Sequence, residues 1–110
     1  MTRLLLVLTF LLAACASADS TDVSQTWVVE IRGMQFHPQR LNIRPGDEVT
    51  FVNHDFVAHT ATAATVSGSI AWSSRELKQS ESQTLKFDTD RDAAYYCKLH
   101  PNMKASIVMD

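Results

Sequence analysis

The chain from Trp27 onward is built of short β-rich runs separated by turn residues, and no helical hydrophobic period persists long enough to form a bundle. The pattern predicts strands over residues 26–32, 40–44, 48–53, 57–65, 70–72, 82–88, 92–97 and 103–109. It also predicts an irregular corner at 33–38, a turn at 67–69, and a loop or single helical turn at 73–82. Seven or eight strands in so short a segment favour an all-β fold, a Greek-key β-sandwich.

The clearest of these strands, 48–53, follows a turn at Pro45-Gly46. Proline presets one backbone angle of such a turn, and glycine accepts the left-handed conformation that the next position needs. Side chains alternate between the two faces of a strand, so Val49, Phe51 and Asn53 share one face. We expect that face to point into the core.

Residues 1–14 differ from the rest of the chain and have the composition of a signal peptide. Arg3 precedes an apolar run over 4–12 that is shorter than the ~20 residues a membrane-spanning helix needs. The run ends in Leu12-Ala13-Ala14-Cys15, which resembles a bacterial lipoprotein signal. That resemblance implies cleavage before Cys15 and a lipid on its sulfur. Ordinary signal cleavage nearby, for instance after Ala18, is the alternative.

The segment 15–25 is small and polar, with too little apolar material to pack, and we interpret it as a lipidated flexible tether. The folded domain is then expected at 26–110. These features predict an exported protein, periplasmic or at the cell surface, held to the membrane through its lipid anchor. Ala16 after the lipidated cysteine resembles sorting to an outer membrane.

Charge and length restrict the function further. The net charge of the chain is −2 and its 110 residues are too few for a multidomain enzyme. A mildly acidic chain without a basic patch lacks the electrostatic footprint of a nucleic-acid binder, so no such partner is expected. We expect a monomer. Once Cys15 is used as an anchor, Cys97 is a lone thiol in an oxidising compartment, and it needs a chemical reason to be there.

That reason is suggested by the spacing Cys97-x2-His100-x2-Met103 in the predicted loop between the last two strands. A thiolate, an imidazole and a thioether on one tight loop suit a soft metal ion. The fourth ligand must come from upstream, where His37, His54 and His59 compete, and the position of His59 on a predicted strand favours it. Two histidines, a cysteine and a methionine form the ligand set of mononuclear copper centres that transfer electrons, whereas methionine is not among the usual zinc ligands.

At these residues the body of the chain resembles the cupredoxins, specifically the small amicyanin- and plastocyanin-like blue copper proteins. The matching features are the Pro45-Gly46-Asp47 turn, the strand that ends in Asn53, the His59-Thr60 pair, the Tyr95-x-Cys97 run and the short loop from Cys97 to Met103. The resemblance implies a cupredoxin-like sandwich and one type 1 copper ion, cycling between Cu(I) and Cu(II), at His59, Cys97, His100 and Met103.

The resemblance also implies roles for neighbouring residues. Asn53 and Thr60 are expected beside the ligands, with a backbone N–H near Thr60 donating to the Cys97 sulfur. The edge of His100, together with Pro101, is expected to be the electron port in an apolar surface. Phe56 and Met34 are candidates for that surface.

These observations predict a carrier of single electrons between redox partner proteins rather than an enzyme. The main alternative is a protein that binds copper for trafficking or storage. A nucleophilic Cys97–His100 pair is less favoured because no orienting carboxylate is evident in the sequence. The chain also has no His-x-His pair for a separate oxygen- or nitrite-reducing centre.

Overall fold

The structure is a computed structural model that describes residues 23–65 and 71–110. These residues form eight strands and no helix. The strands are β1 (Thr26–Arg32), β2 (Gln35–His37), β3 (Arg40–Ile43), β4 (Glu48–Asn53), β5 (Thr62–Ala63), β6 (Ser82–Lys86), β7 (Ala93–Cys97) and β8 (His100–Met109). The predicted signal peptide, the lipidation site Cys15, the tether up to residue 22 and the turn at 67–69 lie outside the described residues. Within those residues no helix is long and apolar enough to cross a membrane.

The strands form two four-stranded sheets. One has the order β2-β1-β4-β6 and the other the order β3-β8-β7-β5. The β1–β4 and β3–β8 pairs are parallel, and the remaining pairs are antiparallel. Because consecutive strands repeatedly change sheet, the predicted all-β Greek-key sandwich is confirmed.

The core lies between the inner faces of the two sheets. Along β4, Val49, Phe51 and Asn53 are buried and the residues between them are not, as the alternation predicted. Burial of apolar surface at about 25 cal/mol per Å² is the main favourable term that holds such sheets together. The other large side chains that are fully buried in this core are Val29, Ile31, Phe36, Ile43, Leu77, Tyr95 and Ile107.

The two tyrosines that precede Cys97 point to opposite sides of their sheet. The Tyr95 ring packs edge-on against Phe36 and Phe51, with ring centroids 4.7 and 5.6 Å away. Burial raises the pKa of the Tyr95 hydroxyl above its usual value. Tyr96 is half-buried on the outer face. One tyrosine therefore belongs to the core and the other to the surface.

Several strand predictions agree closely with the structure, and two are wrong. The bounds of β1 and β4 are those predicted, and β3, β6 and β7 differ by one or two residues. The predicted strand at 57–65 is reduced to the two residues of β5. Residues 71 and 72, the described part of the predicted strand at 70–72, form no strand. Residues 73–81 of the predicted loop at 73–82 form a loop with isolated bridges to neighbouring segments, and Ser82 begins β6.

The strand predicted at 57–65 is broken because side chains occupy hydrogen-bonding groups that a ladder would use. The Asn53 amide donates to the carbonyl oxygens of Val57 and Leu77, at 2.9 and 2.8 Å. The Ala61 N–H donates to the Ser74 hydroxyl oxygen at 2.9 Å. These bonds shape an irregular path between β4 and β5, and that path carries His59.

The predicted irregular corner at 33–38 contains a two-residue hairpin turn and the short strand β2. Gly33 and Met34 both adopt left-handed backbone angles, with φ of 59° and 60°. Positive φ at both central residues is typical of the tight turns that match the twist of two antiparallel strands. This conformation costs little for glycine but is uncommon for methionine, so the turn at Met34 needs outside support.

The parallel pairing of β1 and β4 defines the two ends of the sandwich. The end that holds the start of these strands, together with Asp47 and the carboxyl terminus, is called the Asp47 end. The end that holds Asn53, the Gly33–Met34 turn and the junction of β7 with β8 is called the Cys97 end. The described chain begins at the Asp47 end, where the Gln25 N–H donates to Asp47.

Candidate metal centre

The junction of β7 and β8 brings Cys97 and His100 together. Cys97 ends β7, His100 begins β8, and the two residues pair across a turn formed by Lys98 and Leu99. The loop is therefore shorter than predicted, because β8 begins at His100 and not at Met103. The Cys97 Sγ lies 3.8 Å from the His100 Nδ1. Cys97 is fully buried, whereas His100 is partly exposed.

His59 approaches this junction from the irregular segment before β5. Its Nδ1 lies 3.6 Å from the Cys97 Sγ, and its ring centroid lies 4.9 Å from that of His100. Two backbone hydrogen bonds with Leu77, of 3.0 and 2.8 Å, hold the segment in place. One ligand atom from each of His59, Cys97 and His100 lies within 4.8 Å of the others. The structure thus brings together three of the four predicted ligands around a buried point.

Met103, the fourth predicted ligand, lies three residues beyond His100 on β8. Its side chain is 5% exposed and packs in the core cluster that also contains Cys97. Met103 therefore lies on the same strand as His100, and its side chain is in the interior of the sandwich.

Thr60 makes hydrogen bonds to Cys97, the last residue of β7, and to Lys98, which follows it. Its backbone N–H donates to the Cys97 Sγ at 3.4 Å, and its hydroxyl oxygen accepts from the Lys98 N–H at 2.9 Å. Asn53 acts one step away, because its amide bonds to Val57 and Leu77 fix the segment on which His59 lies.

The structure adds Asp55 to the residues around the predicted ligands. Its Oδ2 lies 2.9 Å from the His59 Nε2. Its carboxylate also accepts the Gly33 and Met34 N–H groups, at 2.7 and 2.9 Å. Burial raises the pKa of Asp55, but these three hydrogen bonds outweigh it and hold the pKa below the usual range. The only sequence signal was the spacing of four residues from His59, which is too common to single out a carboxylate.

The other two histidines lie outside this cluster. The His54 Nε2 lies 3.5 Å from a carboxylate oxygen of Glu30, and the His37 Nε2 lies 3.2 Å from the Arg32 carbonyl oxygen. Both are on the outer side of the sheet that contains β1. Of the three upstream histidines, His59 is the one that lies beside Cys97 and His100.

Exposed apolar side chains are concentrated at the Cys97 end. Phe56 is 91% exposed, and Met34, Val57 and Leu99 are between 41% and 46% exposed. Pro101, next to His100, is exposed as well. These five residues are called the apolar rim. Exposed apolar side chains that are grouped around a polar group are typical of a protein interaction site.

Comparison with known proteins identifies the family. Residues 23–110 match the sequence profile of copper-binding proteins of the plastocyanin/azurin family. The chain belongs to this family. The resemblance to cupredoxins read from the sequence is thus confirmed.

One relative with a similar sequence is amicyanin of Paracoccus denitrificans, which is 29% identical to this chain over 84 residues. The alignment covers 76% of this chain and 64% of the amicyanin sequence, so the chain spans less than two thirds of that relative. Among solved structures, a methionine-to-alanine variant of amicyanin in its Cu(I) form is 27% identical with a TM-score of 0.69. That alignment covers 77% of this chain and 82% of the amicyanin chain.

The same fold is found inside a larger protein. A copper-containing nitrite reductase from Thermus scotoductus is 28% identical with a TM-score of 0.71. The alignment covers 77% of this chain but 22% of the reductase chain. The similarity therefore concerns one part of that protein.

The donor atoms of this family member fit one mononuclear copper ion. Nitrogen and sulfur ligands lie about 2.0–2.3 Å from a first-row metal ion, so two ligands of the same ion are roughly 3–4 Å apart. The separations of 3.6 and 3.8 Å from the Cys97 Sγ to the two imidazole nitrogens meet this requirement. Thiolate suits Cu(I) and imidazole suits both oxidation states. The chemistry and spacing of the donors thus agree with the family.

Proposed function

We propose that this protein carries single electrons between redox partner proteins through one type 1 copper ion bound by His59, Cys97, His100 and Met103. The observation that carries the proposal is the buried convergence of the Cys97 thiol with two imidazoles, one of which, His100, reaches the surface. Copper supplies a Cu(I)/Cu(II) couple at such a ligand set. The similarity to amicyanin, which has been solved in Cu(I) and oxidised forms, supports the assignment.

The contribution of the protein is to hold the donor atoms in place. Cys97 is held by the Thr60 N–H, and His59 is held by Asp55 and by the bridge to Leu77. These hydrogen bonds are made within the protein, so the donors do not depend on the metal for their positions. A fixed set of donors lowers the rearrangement that accompanies a change of oxidation state. Met103, on the strand that His100 begins, would supply a weakly bound thioether sulfur as the fourth ligand.

We propose that electrons pass through the exposed edge of His100 and that partners dock on the apolar rim. The rim lies at the same end of the sandwich as His100, the one proposed ligand among His59, Cys97 and His100 that is partly exposed. Apolar contacts allow close approach without a specific charge pattern on the partner. Because Cys97 and His59 are fully buried, the site offers no access for a substrate to the thiol. This supports electron transfer rather than catalysis, and it disfavours the nucleophilic Cys97–His100 alternative.

The experiment that tests this function is voltammetry of the purified copper-loaded protein. We expect a reversible one-electron wave and a bound copper ion that is retained over repeated cycles, even with a Cu(I) chelator in solution. An irreversible wave with rapid loss of copper to the chelator would contradict electron transfer and support the alternative role in copper trafficking or storage.

We also propose that the protein is exported and lipid-anchored through Cys15, in the periplasm or at the cell surface. The proposal is supported by the apolar run and the Leu12–Cys15 pattern of the sequence. It is compatible with a described chain that begins at the Asp47 end, because the attachment point of the tether and His100 then lie at opposite ends of the sandwich. Mass spectrometry of the membrane fraction should find a diacylglyceryl adduct on Cys15. Release of the Cys15→Ser variant into the soluble fraction should follow, and an unmodified Cys15 would contradict the anchor.

A further inference from the structure

The Asp55 carboxylate connects a proposed copper ligand with a turn on the other side of the Cys97 end. Its Oδ2 lies 2.9 Å from the His59 Nε2 and accepts the Met34 N–H at 2.9 Å. Its Oδ1 accepts the Gly33 N–H at 2.7 Å. The Asp55 backbone N–H in turn donates to the Asn53 side-chain oxygen at 3.0 Å. Asp55 is therefore fixed by four hydrogen bonds and is itself a rigid acceptor.

A carboxylate acceptor at Nε2 decides which nitrogen of His59 carries the proton. A carboxylate can only accept, so the Nε2 of the neutral ring must be the donor, and the Nδ1 is then left with a free lone pair. That Nδ1 is the atom that lies 3.6 Å from the Cys97 Sγ. The His59 side chain is fully buried, so bulk water does not compete for either nitrogen.

The charge of Asp55 has a second consequence for the ring. A carboxylate that accepts from one nitrogen of a ligand imidazole increases the basicity of the other nitrogen. A more basic nitrogen stabilises the more highly charged oxidation state of a metal ion. The Asp55 side chain is only 16% exposed, so solvent screens this effect less than it would at an open surface.

We propose that Asp55 is a positioning residue that holds His59 as its Nε2–H tautomer with the Nδ1 directed at the metal position, and that its negative charge favours Cu(II) over Cu(I). The proposal rests on the proposed function in one respect, because it takes His59 as a ligand. The same carboxylate bonds the left-handed Gly33–Met34 turn. Asp55 therefore joins a turn of the apolar rim to the ligand that is buried beneath it.

The test compares Asp55→Ala and Asp55→Asn with Asp47→Asn. Asn keeps the shape of Asp55 and removes its charge, and its single oxygen can keep the position of Oδ2, which serves both His59 and Met34, while its NH2 group replaces Oδ1 beside the Gly33 N–H. Ala removes the charge and both acceptors. Asp47 is a matched control, because its carboxylate also accepts two backbone N–H groups and one ring N–H but contacts no proposed ligand.

The first measurement is the nitrogen NMR spectrum of His59 in the metal-free protein at pH 8, where an ordinary imidazole is neutral. We expect the Nε2–H tautomer in the wild type, in Asp55→Asn and in Asp47→Asn, and a mixture of tautomers in Asp55→Ala. This readout does not depend on copper, so it judges the positioning role even if the protein proves not to carry electrons.

The second measurement is the reduction potential of the copper-loaded proteins. We expect Asp55→Asn to weaken Cu(II) binding relative to Cu(I) by about tenfold, at the lower end of the 10–100-fold typical of such partners. For one electron this raises the potential by about 59 mV. The potential of Asp47→Asn should stay at the wild-type value.

The two measurements distinguish a failure of the proposed function from a failure of the proposal for Asp55. A wild-type protein that binds no copper would contradict the proposed function, and the NMR result would still decide whether Asp55 positions His59. An unchanged His59 tautomer in Asp55→Ala, or a potential that Asp55→Asn leaves at the wild-type value, would overturn the proposal for Asp55. If Asp55→Ala does not fold, the isosteric Asp55→Asn carries the test through the potential.

Discussion

The two ends of the sandwich contain the same arrangement of hydrogen bonds around a carboxylate, with different consequences. At the Asp47 end, Asp47 accepts the backbone N–H groups of Gln25 and Arg44 and the indole N–H of Trp27, at 2.8, 2.9 and 3.0 Å. At the Cys97 end, Asp55 accepts two backbone N–H groups and lies within hydrogen-bonding distance of an imidazole nitrogen.

The difference between the ends is the ring. The indole of Trp27 has one nitrogen, which the bond to Asp47 uses, so the interaction stabilises the fold and does nothing more. The imidazole of His59 has a second nitrogen, and it faces the Cys97 thiol. One arrangement of hydrogen bonds therefore serves stability at one end and prepares a metal ligand at the other.

The largest effect that this comparison predicts is on stability, at the Asp47 end. Asp47 is 4% exposed, and Asp47→Ala leaves two backbone N–H groups and the Trp27 indole without their charged acceptor. We expect the free energy of unfolding to fall by about 3 kcal/mol, since a hydrogen bond to a charged group contributes roughly 1.5–3 kcal/mol. Urea unfolding measures it. The visible spectrum of the copper form should not change. A changed spectrum would contradict the prediction that Asp47 stabilises the fold without affecting the copper site.

Acid should remove part of the same stabilisation. Burial raises the pKa of Asp47, but the bonds from Gln25, Arg44 and Trp27, with the Arg44 charge, outweigh it and hold the pKa below its usual range. A carboxyl with a lowered pKa in the folded state contributes stability above its unfolded pKa of about 3.9, and this is lost as the pH falls through the folded pKa. The effect is smaller than that of Asp47→Ala, because a protonated carboxyl still has an acceptor oxygen.

The measurement is the difference in the free energy of unfolding between the wild type and Asp47→Asn, followed from pH 7 to below pH 4. Asp55 is unchanged in both proteins, so its own titration is common to them. We expect the difference to shrink as the pH falls. A difference that stays constant would show that the charge of Asp47 does not stabilise the fold.

At the Cys97 end, Met103→Leu should change the potential and not the fold. Leucine has a similar volume, and such exchanges in a core usually cost less than about 1.5 kcal/mol. It removes the weak sulfur donor, so we expect the blue colour to remain and the potential to rise by about 59 mV or more, equivalent to a tenfold shift toward Cu(I). Voltammetry measures the potential, and an unchanged value would exclude Met103 as a copper ligand.

The smallest expected effect on stability is at the apolar rim. Phe56→Ser should change the free energy of unfolding by less than about 0.5 kcal/mol, because Phe56 is 91% exposed. The rate of electron self-exchange should nevertheless fall severalfold, since two copies would meet through this rim. Val23→Ser is the matched control, as Val23 is 82% exposed at the Asp47 end. Equal rates of electron self-exchange in Phe56→Ser and Val23→Ser would show that the apolar rim is not part of the docking surface.

The parts of the fold that the sequence predicted well depend on local pattern. The bounds of β1 and β4 follow from alternating apolar side chains, and the Pro45-Gly46 turn follows from the backbone preferences of those two residues, with Gly46 at a φ of 93°. The meeting of Cys97 and His100 was also predictable, because only two residues separate them.

The features that were missed depend on contacts between distant residues. The segment at 57–65 has the composition of a strand, but the bonds from Asn53 to Leu77 and from Ala61 to Ser74 prevent a ladder. The role of Asp55 needs the Gly33–Met34 turn and His59 on either side of it, and no spacing along the chain reveals that arrangement. Local sequence pattern therefore located the donors, and long-range hydrogen bonds fix their geometry.

The most direct test of the central claim, that the Cys97 thiolate and two imidazoles bind copper, is the visible spectrum after Cu(II) is added to the purified protein and to Cys97→Ser. The predicted result is an intense blue thiolate-to-copper band in the wild type and its loss in a folded Cys97→Ser protein. A colourless wild-type adduct, or a blue band that survives in Cys97→Ser, would contradict the account.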